Sequence, residues 1–390
     1  MNMYDYLKWR GDLTFRQDGF NIVDNLLFAY ACYTDLTEVV TEDETVTIHE
    51  AAERLFKLHT EEEMLNSGSL IAHAPVILRR MGESKRFGNL LISNYVRRVN
   101  EQDTEQFSAM HFQIDPRTTY IAFCGTDDTI IGWKEDFQMS YKVIKAEISS
   151  AEYINRTAKK NFHHYYVGGH SKGGTLAVYA AMKASPSIKK KIISVYSNDG
   201  PGISPIAMDE ARFAAIQPKL IKVIPELSIV GSLFDNDDNK VIIQSSESLF
   251  WEHDAVGWQI LGKDFERGTL TEESKLIREG VRDFLASMDM KQREEWVNEM
   301  FLAFDKAGIV GVPDFSKKGL PILAKFIKEI LSINDNAKDA FGKLGQVFGS
   351  LASERAEDVI KSRFKSISDG IGDMIKSIGK KKDDKDSEKE

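Results

Sequence analysis

The stretch YYVGGHSKGGTLAVY, residues 165–179, sets Ser171 between Gly169 and Gly173, with an apolar segment before it and helical spacing after it. Gly-x-Ser-x-Gly alone arises by chance in roughly one chain in ten of this length, so the flanks carry the weight. An apolar strand that passes straight into a helix through such a turn is the setting of a nucleophile elbow. The turn is tight enough to strain the serine backbone, and flanking glycines let neighbouring segments approach. It would expose the Ser171 hydroxyl and aim the helix N-terminus, with the Lys172 backbone N–H, at a developing oxyanion.

A nucleophilic hydroxyl needs a base, and in strand–elbow–helix hydrolases the chain order is serine, acid, histidine. His49, His59, His73, His111, His163, His164 and His170 all lie at or before the elbow, which leaves His253 as the base. The acid should sit at the carboxyl end of a strand. Asp235 follows the apolar residues 227–234 and ranks first, Asp237 and Asp238 compete in the same loop, and Asp199 after residues 192–197 is the outside choice. The side chains of His170 and Lys172 are expected to be exposed and without a chemical role. His163 and His164 are adjacent, so on a strand they point to opposite faces and do not form a metal pair.

Working outward, residues 20–100 read as helical from spacings such as Leu26, Leu27, Tyr30 and Leu90, Leu91, Tyr95. Residues 107–114 and 118–124 read as strands joined by the hairpin chemistry of Asp115-Pro116-Arg117. A helix near 133–145, strands at 165–168, 192–197, about 227–231 and 241–243, and a helix from 173 to about 183 complete the core. Strands alternating with helices predict an α/β protein with a mostly parallel sheet covered on both faces. The segments expected are a helical N-terminal part at 1–100, a core at 101–270, a helical packing region at 271–335, amphipathic helices at 336–379 and a charged, disordered tail at 380–390.

In 390 residues, 60 acidic against 51 basic side chains give a formal charge of −9, so no general positive field exists to hold nucleic acid. Cys32 and Cys124 form neither a CxxC motif nor a zinc pattern. The charged N-terminus does not read as a signal peptide, and no apolar window is long enough to span a bilayer, so a cytoplasmic protein is expected. Along 341–378, apolar residues such as Phe341, Leu344, Phe348, Ile367 and Ile371 recur at helical intervals opposite a Gly, Ser, Asp and Lys face. That seam needs a cover: the protein's own core, a second copy, or an anionic bilayer at the inner membrane surface.

Residues 120–128, Tyr-Ile-Ala-Phe-Cys-Gly-Thr-Asp-Asp, followed by Trp133 and Asp136, resemble the oxyanion-side motif of class 3 (fungal-type) lipases, and Gly169 to Gly173 is similar to their elbow. From residues 5–12 to His253, Asp254 and Trp258, the chain more closely resembles a bacterial family of lipase-like α/β-hydrolases. The resemblance implies the α/β-hydrolase fold and puts Thr126 in the oxyanion hole opposite the Lys172 amide. Cys124 departs from the arginine usual in class 3 lipases, and no motif fixes the acid.

Together these readings predict a serine hydrolase that cleaves acyl esters of small molecules or lipids through Ser171, His253 and Asp235, without a cofactor or metal. Two alternatives remain open. One is a hydrolase-like scaffold without catalysis that binds lipid or a protein partner, and the other a thioesterase or acyltransferase using the same residues.

Overall fold

The computed structural model describes residues 1–159, 161–234, 240–247 and 249–309. Asp235, Asp237, Asp238, the 341–378 seam and the segments 336–379 and 380–390 lie outside them. The chain divides into two compact units, Met1–Asn298 with Val310–Pro313, and Glu299–Ile309 with Asp314–Glu390. The sheet, Ser171 and His253 all belong to the first unit.

The N-terminal part contains α1 (Met3–Arg10), α2 (Ile22–Ala31), a short β1 (Val46–Thr47), α3 (Ile48–Leu58), α4 (Glu61–Leu65) and α5 (His73–Glu83). Then come β2 (Leu91–Asn100), β3 (Glu105–Asp115), β4 (Thr118–Phe123), α6 (Ile130–Gln138), α7 (Lys145–Thr157), β5 (His164–His170), α8 (Lys172–Lys183) and α9 (Pro186–Lys189). The rest is β6 (Ile192–Asn198), α10 (Glu210–Ala214), β7 (Leu220–Pro225), β8 (Lys240–Ile243), the hairpin β9 (Ile260–Leu261) and β10 (Asp264–Phe265), α11 (Glu272–Ala286) and α12 (Met290–Ala307).

Strands β1 to β8 form one sheet in chain order, antiparallel from β1 to β4 and parallel from β4 to β8. The β3–β4 pair is joined by the two-residue turn after Asp115, and helices lie between the parallel strands β4, β5, β6 and β7. Both faces are covered. On β4, Tyr120 and Ala122 join the N-terminal helices in one core, while Ile121 and Phe123 join α7 and α8 in the other. This mixed sheet, flanked by helices and succeeded by a helical extension, is an α/β-hydrolase-like architecture.

Three expected elements differ. Residues 91–100 form a strand and not a helix: the register shifts between Ser93 and Val96, and Asn94 takes φ +52°. This bulge puts Ile92 and Tyr95 in the same core, so their spacing imitates a helix. The strand expected at 227–231 is instead β7, Leu220–Pro225. Lys222 interrupts the apolar run of β7 yet is buried, whereas Leu227 and Ser228 are buried in a connection crossing the strand ends. The helix expected at 133–145 is replaced by α6 and α7 on either side of a break. No helix among the described residues is long and apolar enough to cross a membrane.

One buried ion pair ties the N-terminal segments together. Asp24, in the capping box that starts α2, meets Arg86 at 2.6 Å with both side chains fully buried. Arg86 also donates to the carbonyls of Leu13, Asp18 and Gly19 and lies over the Phe15 ring. Removing the cation would leave Asp24 charged and unpaired in the core. Arg86→Met should therefore cost about 3–5 kcal/mol, seen as a lower urea midpoint, and adding Asp24→Asn should recover part of the loss.

Candidate active site

Strand β5 ends at His170, and Ser171 turns the chain into α8 with φ +57° and ψ −134°. A side chain at Gly169 would put its Cβ 2.3 Å from the Gly173 carbonyl carbon, and one at Gly173 would lie 2.2 Å from the Phe123 carbonyl oxygen. Only glycine allows α8 to start this close to β4 and β5. Lys172 is the first residue of α8, so its N–H belongs to the group with no acceptor inside the helix.

The Ser171 hydroxyl donates to His253 Nε2 at 3.0 Å, and His253 Nδ1 donates to Asp199 Oδ2 at 2.6 Å. His253 closes the 3-10 turn Leu249–His253, which is braced by Trp258 Nε1 donating to the Glu252 carbonyl and by Glu252 accepting from the Leu227 N–H. Asp199 directly succeeds β6, is fully buried and takes φ +47°, a conformation aspartate tolerates better than most residues. Its other oxygen accepts from the Ser228 hydroxyl. Gly231 leaves room for it, since a Cβ there would meet Asp199 Oδ1 at 2.3 Å.

The structure thus brings Ser171 and His253 together and seats Asp199, the outside choice, on the imidazole. Asp235, Asp237 and Asp238 are outside the described residues. One signal for Asp199 was visible: Asn198-Asp199-Gly200 ends a strand, where a left-handed residue and a close approach are needed. A Cβ on Gly200 would indeed lie 2.7 Å from the Ser171 carbonyl oxygen. What the sequence did not show is that β6 pairs directly with β5.

His170 and Lys172, expected to be exposed, are both buried. Lys172 Nζ meets Glu135 Oε2 at 2.9 Å and donates to the Gln106 side chain at 2.6 Å and its carbonyl at 3.1 Å. Glu135 in turn accepts from the N–H groups of Gln106 and Ala146. A lysine beside a helix start reads as a solvated charge because its buried partner lies on another helix. His163, just before β5, is buried and shares a hydrogen bond with the Thr119 hydroxyl, while His164 is exposed. Cys32 and Cys124 are free, buried thiols.

On the other side of Ser171, the Thr126 hydroxyl donates to Asp136 Oδ2 at 2.6 Å. Gly132 lets α6 close on this loop, since a Cβ would lie 2.9 Å from Thr126 Cγ2. Although 30% of its side chain reaches the cavity, Asp136 is pushed up to about 6, mainly by burial, against the opposing charge of Lys172.

These groups line a cavity of about 530 Å³ whose other walls include Leu70, Trp133, Phe137, Val230, Leu233 and Trp251. A polar floor under apolar walls suits a molecule with one reactive polar group on an apolar body. A larger cavity of about 670 Å³, lined by Arg97, Arg98, Arg156 and Glu152, touches none of these residues.

A model of the Mbeg1-like family matches residues 81–302, more than half of the chain and every element from β2 to the imidazole. The chain belongs to the Mbeg1-like family. Among solved structures it is similar to lipase II from Rhizopus niveus, at 13% identity and TM-score 0.27 over 40% of this chain and 66% of that one. M37 lipase matches at 19% identity and TM-score 0.27, over 45% of this chain and 70% of the other. The lipase from Rhizopus microsporus var. chinensis matches at 14% identity and TM-score 0.29, over 56% and 82%. The chain thus spans just under two thirds of the first of these lipases. No curated protein sequence matches it.

The charges beneath the site set two stability outcomes. Lys172→Met leaves Glu135 without its cation and should cost about 3–5 kcal/mol, with partial recovery in Lys172→Met/Glu135→Gln, measured by chemical denaturation. For Asp136, a raised acid favours the folded state when protonated. That stability is present below about pH 4 and lost as pH rises through about 6. Asp136→Asn should therefore melt higher than the native protein at pH 8 and alike at pH 4.

Proposed function

We propose that this protein is a serine hydrolase of the lipase or carboxylesterase kind. The observation that carries the reading is the continuous hydrogen-bonded line from the Ser171 hydroxyl through His253 to Asp199, at 3.0 and 2.6 Å. Ser171 Oγ attacks the ester carbonyl carbon while His253 Nε2 takes its proton, and Asp199 holds the ring and stabilises the imidazolium. The oxyanion is held by the backbone N–H groups of Lys172 and Thr126, the latter loop being tied down by Asp136. The imidazolium then protonates the leaving alcohol, and a water activated by the same ring releases the acid from Ser171. The apolar walls of the cavity receive the acyl chain. Thr126, Asp136 and the Gly169 to Gly173 elbow are also the residues on which the resemblance to the class 3 lipases rests.

A fluorophosphonate probe tests this directly by forming a covalent bond at Ser171. Labelling should be absent in Ser171→Ala, and turnover of aryl esters should fall about a million-fold. Asp199→Asn should lose about ten-thousand-fold in kcat through the wrong imidazole tautomer, whereas Asp235→Asn should stay within about threefold of the native enzyme. A native protein that takes no label and turns over no ester would leave the scaffold alternative, and a large loss in Asp235→Asn with none in Asp199→Asn would reassign the acid.

A further inference from the structure

The hydrolase reading uses one of two imidazoles that lie side by side. The rings of His170 and His253 are 4.8 Å apart, and the buried His170 ring also meets the rings of Tyr30 in α2, Tyr33 just past it, and Trp258. His170 Nε2 lies 2.9 Å from the carbonyl oxygen of His253. A carbonyl can only accept, so this nitrogen carries the proton. Burial first, and then the neighbouring His253, push His170 down to about 3, so the ring is neutral and Nδ1 accepts. The Tyr33 hydroxyl is 2.9 Å from Nδ1 and 3.1 Å from the His170 carbonyl, and its proton serves both. Tyr33 comes this close because residue 125 is glycine: a Cβ there would meet the Tyr33 hydroxyl at 2.0 Å and the His170 carbonyl at 2.6 Å.

The result is a second connection between nucleophile and base that does not pass through the reacting atoms. His170 ends β5, its neighbour is Ser171, and its side chain holds the main chain of His253. We infer that His170 is a positioning residue: donating from Nε2 to the His253 carbonyl, with Tyr33 fixing its tautomer, it holds His253 at the spacing that lets the imidazole bridge Ser171 and Asp199. The inference rests on the hydrolase reading for its effect on rate. Its geometric content, that His170 keeps His253 on Asp199, stands apart from that reading. A displacement of about 1 Å in a catalytic group can cost on the order of a hundredfold in rate.

The test compares His170→Leu, which removes the donor, with His170→Gln, which keeps an N–H at similar reach, and with Tyr33→Phe. Four quantities are read: kcat and KM on an aryl ester, the rate of fluorophosphonate labelling, and the low-field proton resonance of the His253 Nδ1–H bonded to Asp199. In His170→Leu, kcat and labelling should fall about ten- to hundredfold with KM little changed. The acid limb of kcat/KM should move to lower pH, because an imidazolium drawn off Asp199 loses its stabilisation, and the low-field resonance should weaken. His170→Gln should recover most of the rate and the resonance. A His170→Leu protein with native kcat, pH profile and resonance overturns the inference, as does a folded His170→Gln protein no better than leucine. Where the leucine protein does not fold, Tyr33→Phe decides: a reduced kcat with a shifted acid limb supports the inference, and native values of both overturn it. Absence of labelling in the native protein, with the resonance present and lost in His170→Leu, would remove the hydrolase reading and leave the positioning role standing.

Discussion

The site depends on one close approach. Strand β5 has to become helix α8 within a single residue, and it can do so only because nothing projects from Gly169 toward Gly173 or from Gly173 toward the Phe123 carbonyl. A methyl group at either place would push α8 off the sheet and unwind the positive φ of Ser171. That turn places the Ser171 hydroxyl on His253 Nε2 and starts α8 at Lys172, where the helix dipole favours negative charge. The strain is sustained by burial on both faces, since β5 lies in the interior of the sheet between β4 and β6 and its neighbours leave no room to relax.

A second layer of constraint fixes the partners of the elbow. Asn198 donates to the Gly169 carbonyl and accepts from Asn25, which in turn accepts from Tyr120. This buried amide chain locks the ends of β5 and β6 to α2, and a fully satisfied polar network in a core allows few alternative arrangements. Asp199 is the next residue, so the carboxylate inherits its position from strand pairing and not from loop packing. The imidazole arrives from the opposite direction on a 3-10 turn, and the site closes where the two meet. The N-terminal helices therefore do more than cover the sheet: α2 supplies Asn25 to β6 and, just past its end, Tyr33 to His170.

What the sequence made legible was local. Ser171 could be read from glycine spacing between a strand and a helix, His253 from its position after the elbow, and the hairpin before β4 from its turn chemistry, because each depends on a few adjacent residues. What stayed hidden depended on pairing between distant segments. Asp199 becomes the partner of His253 only once β6 lies beside β5, and the apolar run after β7, which suggested a strand at about 227–231, turns out to cover Asp199 through Ser228. The bulge at Asn94 gave β2 a helical spacing, and Lys172 looked like a surface charge until Glu135 arrived from α6. In each case the residue type was visible and the neighbour was not.

The arrangement of charge also explains why two adjacent imidazoles do not compete for one proton. Protonating His170 would place a cation in a buried position and beside the ring of His253. Both effects act against it, and they hold His170 far below neutrality. Asp199 could favour either ring, but its hydrogen bond goes to His253 alone, and that bond strengthens as the ring gains charge. Beneath the site, Lys172 is already matched by Glu135, and Asp136 near the same cation is held partly protonated around pH 6. Under the hydrolase reading, the proton leaving Ser171 passes to His253 Nε2, while Lys172 beneath the site stays matched by Glu135.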